Sequence, residues 1–266
     1  MLFPTEDTLR TFATLTGIAA LTATLGASPL AAQGWYFTAA IGGEFSGTMS
    51  FEDFNCSATS PPALFGCSVG EDGDRALGAY GDYQSMTMEL GIGNQISAVR
   101  IEARLAYRPS FAFVGNANFL NASKKQPVRT EVHSVGVALA GAVDLAIIDL
   151  GYSRLVPFIG ASAGVSRHEV DEVVYRFPSL GAGALTRVPG GVTTAFTWSG
   201  SAGLSFHIDE RVSVEGSYRY SDLGAVETEA GTAQVVRPKF KGTIDIAGTR
   251  SDLRTHAITA GLRVGL

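Results

Sequence analysis

The sequence predicts an all-β chain: an eight-stranded antiparallel up-and-down transmembrane β-barrel with four long surface loops. Three observations predict it. Apolar and polar residues alternate with period two in eight separate runs, a rhythm that strands show and helices do not. The breaks between runs are short at one end and long at the other, as in outer-membrane barrels. The apolar positions carry bulky side chains and the polar ones mostly small side chains, which decides which face fits inside a narrow cylinder.

The runs follow in order. "GWYFTAAIGGEFS" sets Trp35, Phe37, Ala39, Ile41 and Phe45 against Tyr36, Thr38, Ala40, Gly42 and Glu44. "SMTMELGIG" sets Met86, Met88, Leu90 and Ile92 against Ser85, Thr87, Glu89 and Gly91. "RIEARLAYR" places Arg100, Glu102, Arg104 and Arg108 between Ile101, Ala103, Leu105 and Tyr107. "SVGVALAGAVD" opposes Val135, Val137, Leu139 and Val143 to Ser134, Ala138 and Asp144, and "PFIGASAGVS" opposes Ile159 and Val165 to Phe158 and Ser162. "FTWSGSAGLSFHI" and "VSVEGSYRY" follow, with Trp198, Leu204, Val214 and Tyr218 facing away from Ser199, Ser205, Glu215 and Arg219. "HAITAGLRVGL" closes the set with Ile258, Leu262, Val264 and Leu266 against Thr259, Gly261 and Arg263. "GNQIS" and "HIDER" read as tight turns and "DLAIIDLGYSRL" as a longer link, while 47–83, 109–130, 169–194 and 223–251 read as long loops.

A soluble barrel would turn the bulky face inward, and a membrane barrel turns it to lipid. Side-chain size favours the second. Arg100, Glu102 and Arg104 are then expected in the lumen with Glu44, Glu89, Asp144, Glu215, Arg219 and Arg263, as a connected network of ion pairs and water. An arginine facing lipid at mid-bilayer would cost about 2–4 kcal/mol. Trp35, Tyr36, Tyr107, Tyr218 and Tyr220 gather near run ends, where interfacial aromatic girdles sit.

Ahead of the barrel, "TFATLTGIAALTATLGASPLAAQ" reads as an apolar export segment ending in small residues. Residues 1–32 are expected to be a signal peptide cleaved after Ala32, with a retained anchor as the competing reading, and 33–266 the barrel domain. Export makes a disulfide between Cys56 and Cys67, the only cysteines, favoured over two unpaired thiols. Closing so short a loop stabilises by about 3 kcal/mol.

Charged residues make up 17% of the chain and the net charge is −5, a balance that argues against nucleic-acid partners. "SKKQPVR" reads as solvated surface. "GEDGDRALG" lacks the spacing of a calcium loop, and no phosphate loop or dinucleotide fingerprint occurs. Of the four histidines, His133 is out of parity with Ser134, and His168 with Glu169 reads as a solvated pair. His207 is expected in the lumen and His256 on the lipid-facing parity near the rim. No catalytic, cofactor-binding or metal-binding residues are assigned.

Three stretches, "GWYFTAAIGGEF", "VPFIGASAGVS" and "FHIDERVSVEGSYRYSDLG", resemble the opacity-protein-like class of small bacterial outer-membrane β-barrels, the resemblance covering residues 34–266. The resemblance implies eight strands in the outer membrane of a Gram-negative-type cell and four surface loops. It also implies a role as adhesin, surface antigen or porin-like protein. The ending "GLRVGL" looks like the insertion signal read by the barrel-assembly machinery, with Gly261, Val264 and Leu266 in that role; it departs in closing on Leu266, not an aromatic. The function expected is a non-enzymatic barrel presenting loops to a host or envelope ligand, in contact with outer-membrane lipid and lipopolysaccharide. The alternative is a small porin-like channel, and a barrel enzyme acting on lipid or peptide comes third.

Overall fold

The computed structural model of the protein describes residues 34–59, 79–119, 126–151 and 153–266, with 67, 69, 73, 74 and 76 between them. The stretch expected to direct export, the lysines of "SKKQPVR" and most of "GEDGDRALG" lie outside the described residues. The chain forms β1 (Gly34–Asp53), β2 (Ala79–Ile96), β3 (Val99–Ala117), β4 (Gln126–Asp144), the two-residue β5 (Ile148–Asp149), β6 (Arg154–Val170) and β7 (Val173–Arg176). It continues with β8 (Leu185–Val188), β9 (Gly191–His207), β10 (Val212–Glu227), β11 (Gly231–Arg237), β12 (Phe240–Ile246) and β13 (Thr249–Gly265). Eight of these close an antiparallel ring in the order β1-β2-β3-β4-β6-β9-β10-β13, with β4–β6 and β1–β13 completing the circle.

Period-two alternation builds this ring because each residue pair then sends one side chain outward and one inward. Leu90, Leu139 and Ile258 are 61%, 62% and 64% exposed on the outer wall, while Glu44, Glu89 and Arg263 are buried in the lumen. A bulky apolar wall facing outward is stable only against hydrocarbon, so this band is the membrane-spanning part. On the turn side, Ser97 takes a left-handed conformation between β2 and β3. In "HIDER", the Asp209 carboxylate accepts the amides of Arg211 and Val212 at 2.7 and 2.8 Å, which holds its pKa below the usual aspartate value.

The ring strands are 16 to 20 residues long, more than the about 9–11 a tilted strand needs to cross a bilayer. Their loop-side ends therefore stand clear of the membrane. Two hairpins, β7–β8 and β11–β12, prolong the wall further: β7 pairs with the upper end of β4, β8 with β7, and β11 with β8. Much of what the sequence reading assigned to long loops is thus strand. The alternation there was hidden because the wall inverts its polarity.

Above the membrane the apolar side chains point inward. Phe113, Val128, Val226, Ala233 and Leu253 are fully buried, packed with Met49, Phe51, Tyr175, Val188 and Ile246 into one core that fills the barrel mouth. Burial pushes the Tyr175 phenol pKa up. Three ring strands make the inversion with bulges, at Phe45–Thr48 in β1, Arg108–Phe111 in β3 and Asp222–Ala225 in β10, each slipping the register so that inward and outward exchange. At the last, Gly224 adopts φ 77°, and an added Cβ would lie 2.5 Å from that of Ala195. β4 and β13 keep their register and change composition instead: apolar Val132 precedes Ser134, and Leu253 precedes Thr255.

Candidate functional site

The lumen beneath this core is polar and organised in three tiers. Nearest the tight turns, Arg100 contacts Asp144 at 3.0 Å and donates to Glu215 at 2.7 Å, while its guanidinium lies 4.5 Å from the Phe158 ring centre. Arg263 shares Glu215 at 3.3 Å and donates to Gln95 at 2.9 Å; Gln95 in turn donates to Asp144 at 3.1 Å. The Arg263 guanidinium also stands 5.6 Å from the Tyr36 ring centre.

In the middle tier Glu89 collects two arginines. Arg219 makes a bidentate pair with it, one arm at 3.0 Å, and Arg104 approaches at 3.7 Å while bonding Glu102 at 2.9 Å. Gly91 makes room for this: a Cβ there would meet the Glu102 carboxylate at 2.6 Å. In the upper tier Arg108 grips Glu44 at 2.5 and 3.3 Å, and Thr255 donates to the same carboxylate at 2.5 Å.

Five carboxylates thus face five arginines, and the charges cancel. Bidentate, charge-assisted bonds of this kind are what keep buried ions tolerable. Between the tiers lie two small cavities of about 70 and 40 Å³, bounded by Arg100, Arg104, Glu102, Glu89, Arg108 and Arg219. They have room for a handful of water molecules at roughly 15 Å³ each.

All nine charged residues assigned to the lumen lie in these tiers. The residues that sequence reasoning passed over are Arg108 and Gln95. Arg108 shares the even parity of Arg100 and Arg104, so the signal was present. Tyr36 stands on the polar face by alternation and among the girdle aromatics by residue type; it is buried in the lumen under Arg263, so the alternation holds and the girdle assignment does not. The reason is parity: neighbours on a strand take opposite faces, so Trp35 is at the lipid wall and Tyr36 inside.

The histidines also sort differently from the sequence reading at one point. His168 and Glu169 do not pair: His168 is fully buried, its Nε2 2.9 Å from the Leu223 carbonyl, whereas Glu169 meets His133 at 3.3 Å on the outer wall. His207 reaches Arg263 at 3.4 Å, and His256 stacks on Phe45 with Tyr218 at 2.5 Å from its Nδ1. Among the described residues, none of these histidine bonds goes to a serine hydroxyl. Cys56 and Cys67 are joined in a disulfide, their Cα atoms 5.4 Å apart, which removes both thiolates from metal chemistry although Asp53 lies beside them. At the chain end, Val264 and Leu266 face outward, Gly261 lies over Ala39 and Ala40, and the Leu266 amide donates to the Trp35 carbonyl at 2.9 Å.

Residues 17–264 match the family model described as outer membrane protein beta-barrel domain. Among solved structures, neisserial surface protein A is 13% identical, covering 89% of this chain and 99% of its own, with a TM-score of 0.41. The outer membrane protein OprG from Pseudomonas aeruginosa is 12% identical, covering 88% and 97%, with a TM-score of 0.43. The attachment invasion locus protein Ail of Yersinia pestis is 11% identical, covering 87% and 99%, with a TM-score of 0.30. No curated protein matches. With the outward apolar band, the polar ring interior and a family match over nearly the whole described chain, this protein belongs to the outer membrane beta-barrel domain family and resides in the cell outer membrane.

Proposed function

We propose that the chain is a non-enzymatic, surface-presenting barrel whose membrane part is a closed anchor and whose prolonged wall makes the contacts. The observation that carries this is the polarity inversion: an apolar core seated on a charge-neutral lumen makes the extracellular wall a rigid platform and leaves little open cross-section. Rigid scaffolds presenting exposed strands and turns are how small barrels display binding surfaces. Ligands of the host or the envelope are the proposed partners. Export with removal of residues 1–32, and insertion through recognition of Gly261, Val264 and Leu266 by the barrel-assembly machinery, belong to the same proposal.

The test is electrical and cellular. Purified protein in planar bilayers is expected to be silent, and cells displaying it are expected to lose adhesion when 173–188 and 231–246 are replaced by short turns. Reproducible conductance steps from monomer would instead support the small-channel reading, for which the polar lumen is the favourable feature.

A further inference from the structure

The hairpins that prolong the wall carry positive charge throughout except for Asp245, near the foot of β12. Residues 173–188 and 231–244 contain Arg176, Arg187, Arg237, Lys239 and Lys241 and no aspartate or glutamate, in a chain whose net charge is −5. Register gathers most of these with a residue from β4. Arg129 and Arg187 share one cross-strand row with Val174, Gln234 and Thr243. Arg176 and Lys241 share the next row outward with Leu185 and Val236. Four exposed cations therefore occupy one face with no acid among them. At about 4.8 Å per strand, Arg129 and Arg187 stand roughly 10 Å apart, and Arg176 and Lys241 roughly 14 Å.

Their partners are few. Among the described residues Arg129, Arg176 and Lys241 make no ion pair, and only Arg187 is engaged, with Glu172 at 2.5 Å. The acids on this face, Glu131, Glu172 and Asp245, all lie nearer the membrane. Arg237 is not part of the patch: it turns inward over Phe177 at 4.9 Å and donates to the Leu185 carbonyl at 2.7 Å, and partial burial lowers its pKa.

Direction identifies what this face meets. Arg129 has the parity of Val135, Val137 and Leu139, which point at lipid, so the basic face continues the lipid-facing wall upward and looks along the membrane plane. Six residues separate Val135 from Arg129, which at about 3.3 Å per residue and about 40° tilt is roughly 15 Å of height. A lateral surface at that height faces the sugars of neighbouring lipids, not an opposing cell. Guanidinium groups bind phosphate bidentately, and spaced ones suit several phosphates on one oligosaccharide.

We infer that Arg129, Arg176, Arg187 and Lys241 bind the phosphorylated oligosaccharide core of the surrounding outer-leaflet glycolipid. The inference rests on the surface-presenting reading above and names one partner of that surface. It is tested on the full chain, folded in detergent, by calorimetric titration with phosphorylated core oligosaccharide released from lipopolysaccharide. Binding is expected to weaken at least tenfold on enzymatic dephosphorylation of the probe. It should weaken at least as much in a quadruple variant carrying R129Q, R176Q, R187Q and K241Q, and fall as salt rises. A variant carrying R250Q and R254Q, whose arginines stand beside Glu227 and Asp222, should bind as the parent does. Heat-modifiable gel mobility verifies folding, and if the quadruple variant fails that check the R129Q/R176Q pair is read in its place. Absence of binding by the parent, equal binding of the dephosphorylated probe, or equal binding by the folded variant overturns the inference. So does tighter binding of heparin than of the core, since that assigns the face to a soluble polysulfated glycan. Bilayer silence and cell adhesion are scored separately, so the broader reading stands or falls on its own.

Discussion

At the scale of single residues, the lumen is decided by which arginine shares which carboxylate. Glu89 is the junction: Arg219 and Arg104 both reach it, and Arg104 has Glu102 as a second partner while Arg219, among the described residues, pairs with no other carboxylate. Glu89→Gln keeps the shape and removes the charge. It is expected to destabilise the folded barrel by about 3–5 kcal/mol, the cost of leaving a buried guanidinium without its counter-charge. Replacing Glu89 and Arg219 together by leucine should cost less than the single change, because the stranded ion is then gone. Urea unfolding in lipid vesicles, followed by tryptophan fluorescence, measures both. These lumen charges were legible from parity alone, and so was Arg108. Their pairings were not, because contacts such as Arg219 with Glu89 join residues 130 positions apart.

At the scale of elements, the bulges matter most. The β10 bulge lets Leu223 and Val226 both point into the apolar core although three positions separate them, which uninterrupted alternation forbids. Gly224 supports it with a left-handed backbone, its amide bound to Asp222 at 3.0 Å. Gly224→Val meets both the backbone penalty and Ala195, and is expected to cost about 2 kcal/mol. The loss should be local. Limited trypsin digestion is the measurement: cleavage after Lys239 and Lys241 should accelerate several-fold while the membrane band stays protected. Unchanged cleavage would mean that the bulge does not hold the upper wall in place. The sequence reading stopped at 223 because it followed one period; a bulge shifts the phase without altering composition, and composition is what a run displays.

At the scale of the whole molecule, one cylinder serves two solvents. In the membrane band the outer wall is bathed by hydrocarbon and the interior is ionic; above it the outer wall meets water and the interior is apolar. Orientation is therefore testable with paired probes. A spin label replacing Leu105 should report collision with membrane-dissolved oxygen, whereas one replacing Arg104 should be shielded from it. The reverse pattern would overturn the placement of both faces.

By itself the sequence determined the membrane band: its eight strands, the face given to lipid and the residues given to the lumen. Alternation and side-chain size are local quantities, and a narrow ring leaves one arrangement for them. Only the tertiary structure decided the upper half. There, register shifts moved apolar residues inward, strand order brought β8 to β11 and β7 to β4, and cations from four strands met on one face. None of that is local, since which strand lies beside which depends on ring closure, and a bulge shows itself only against its partner.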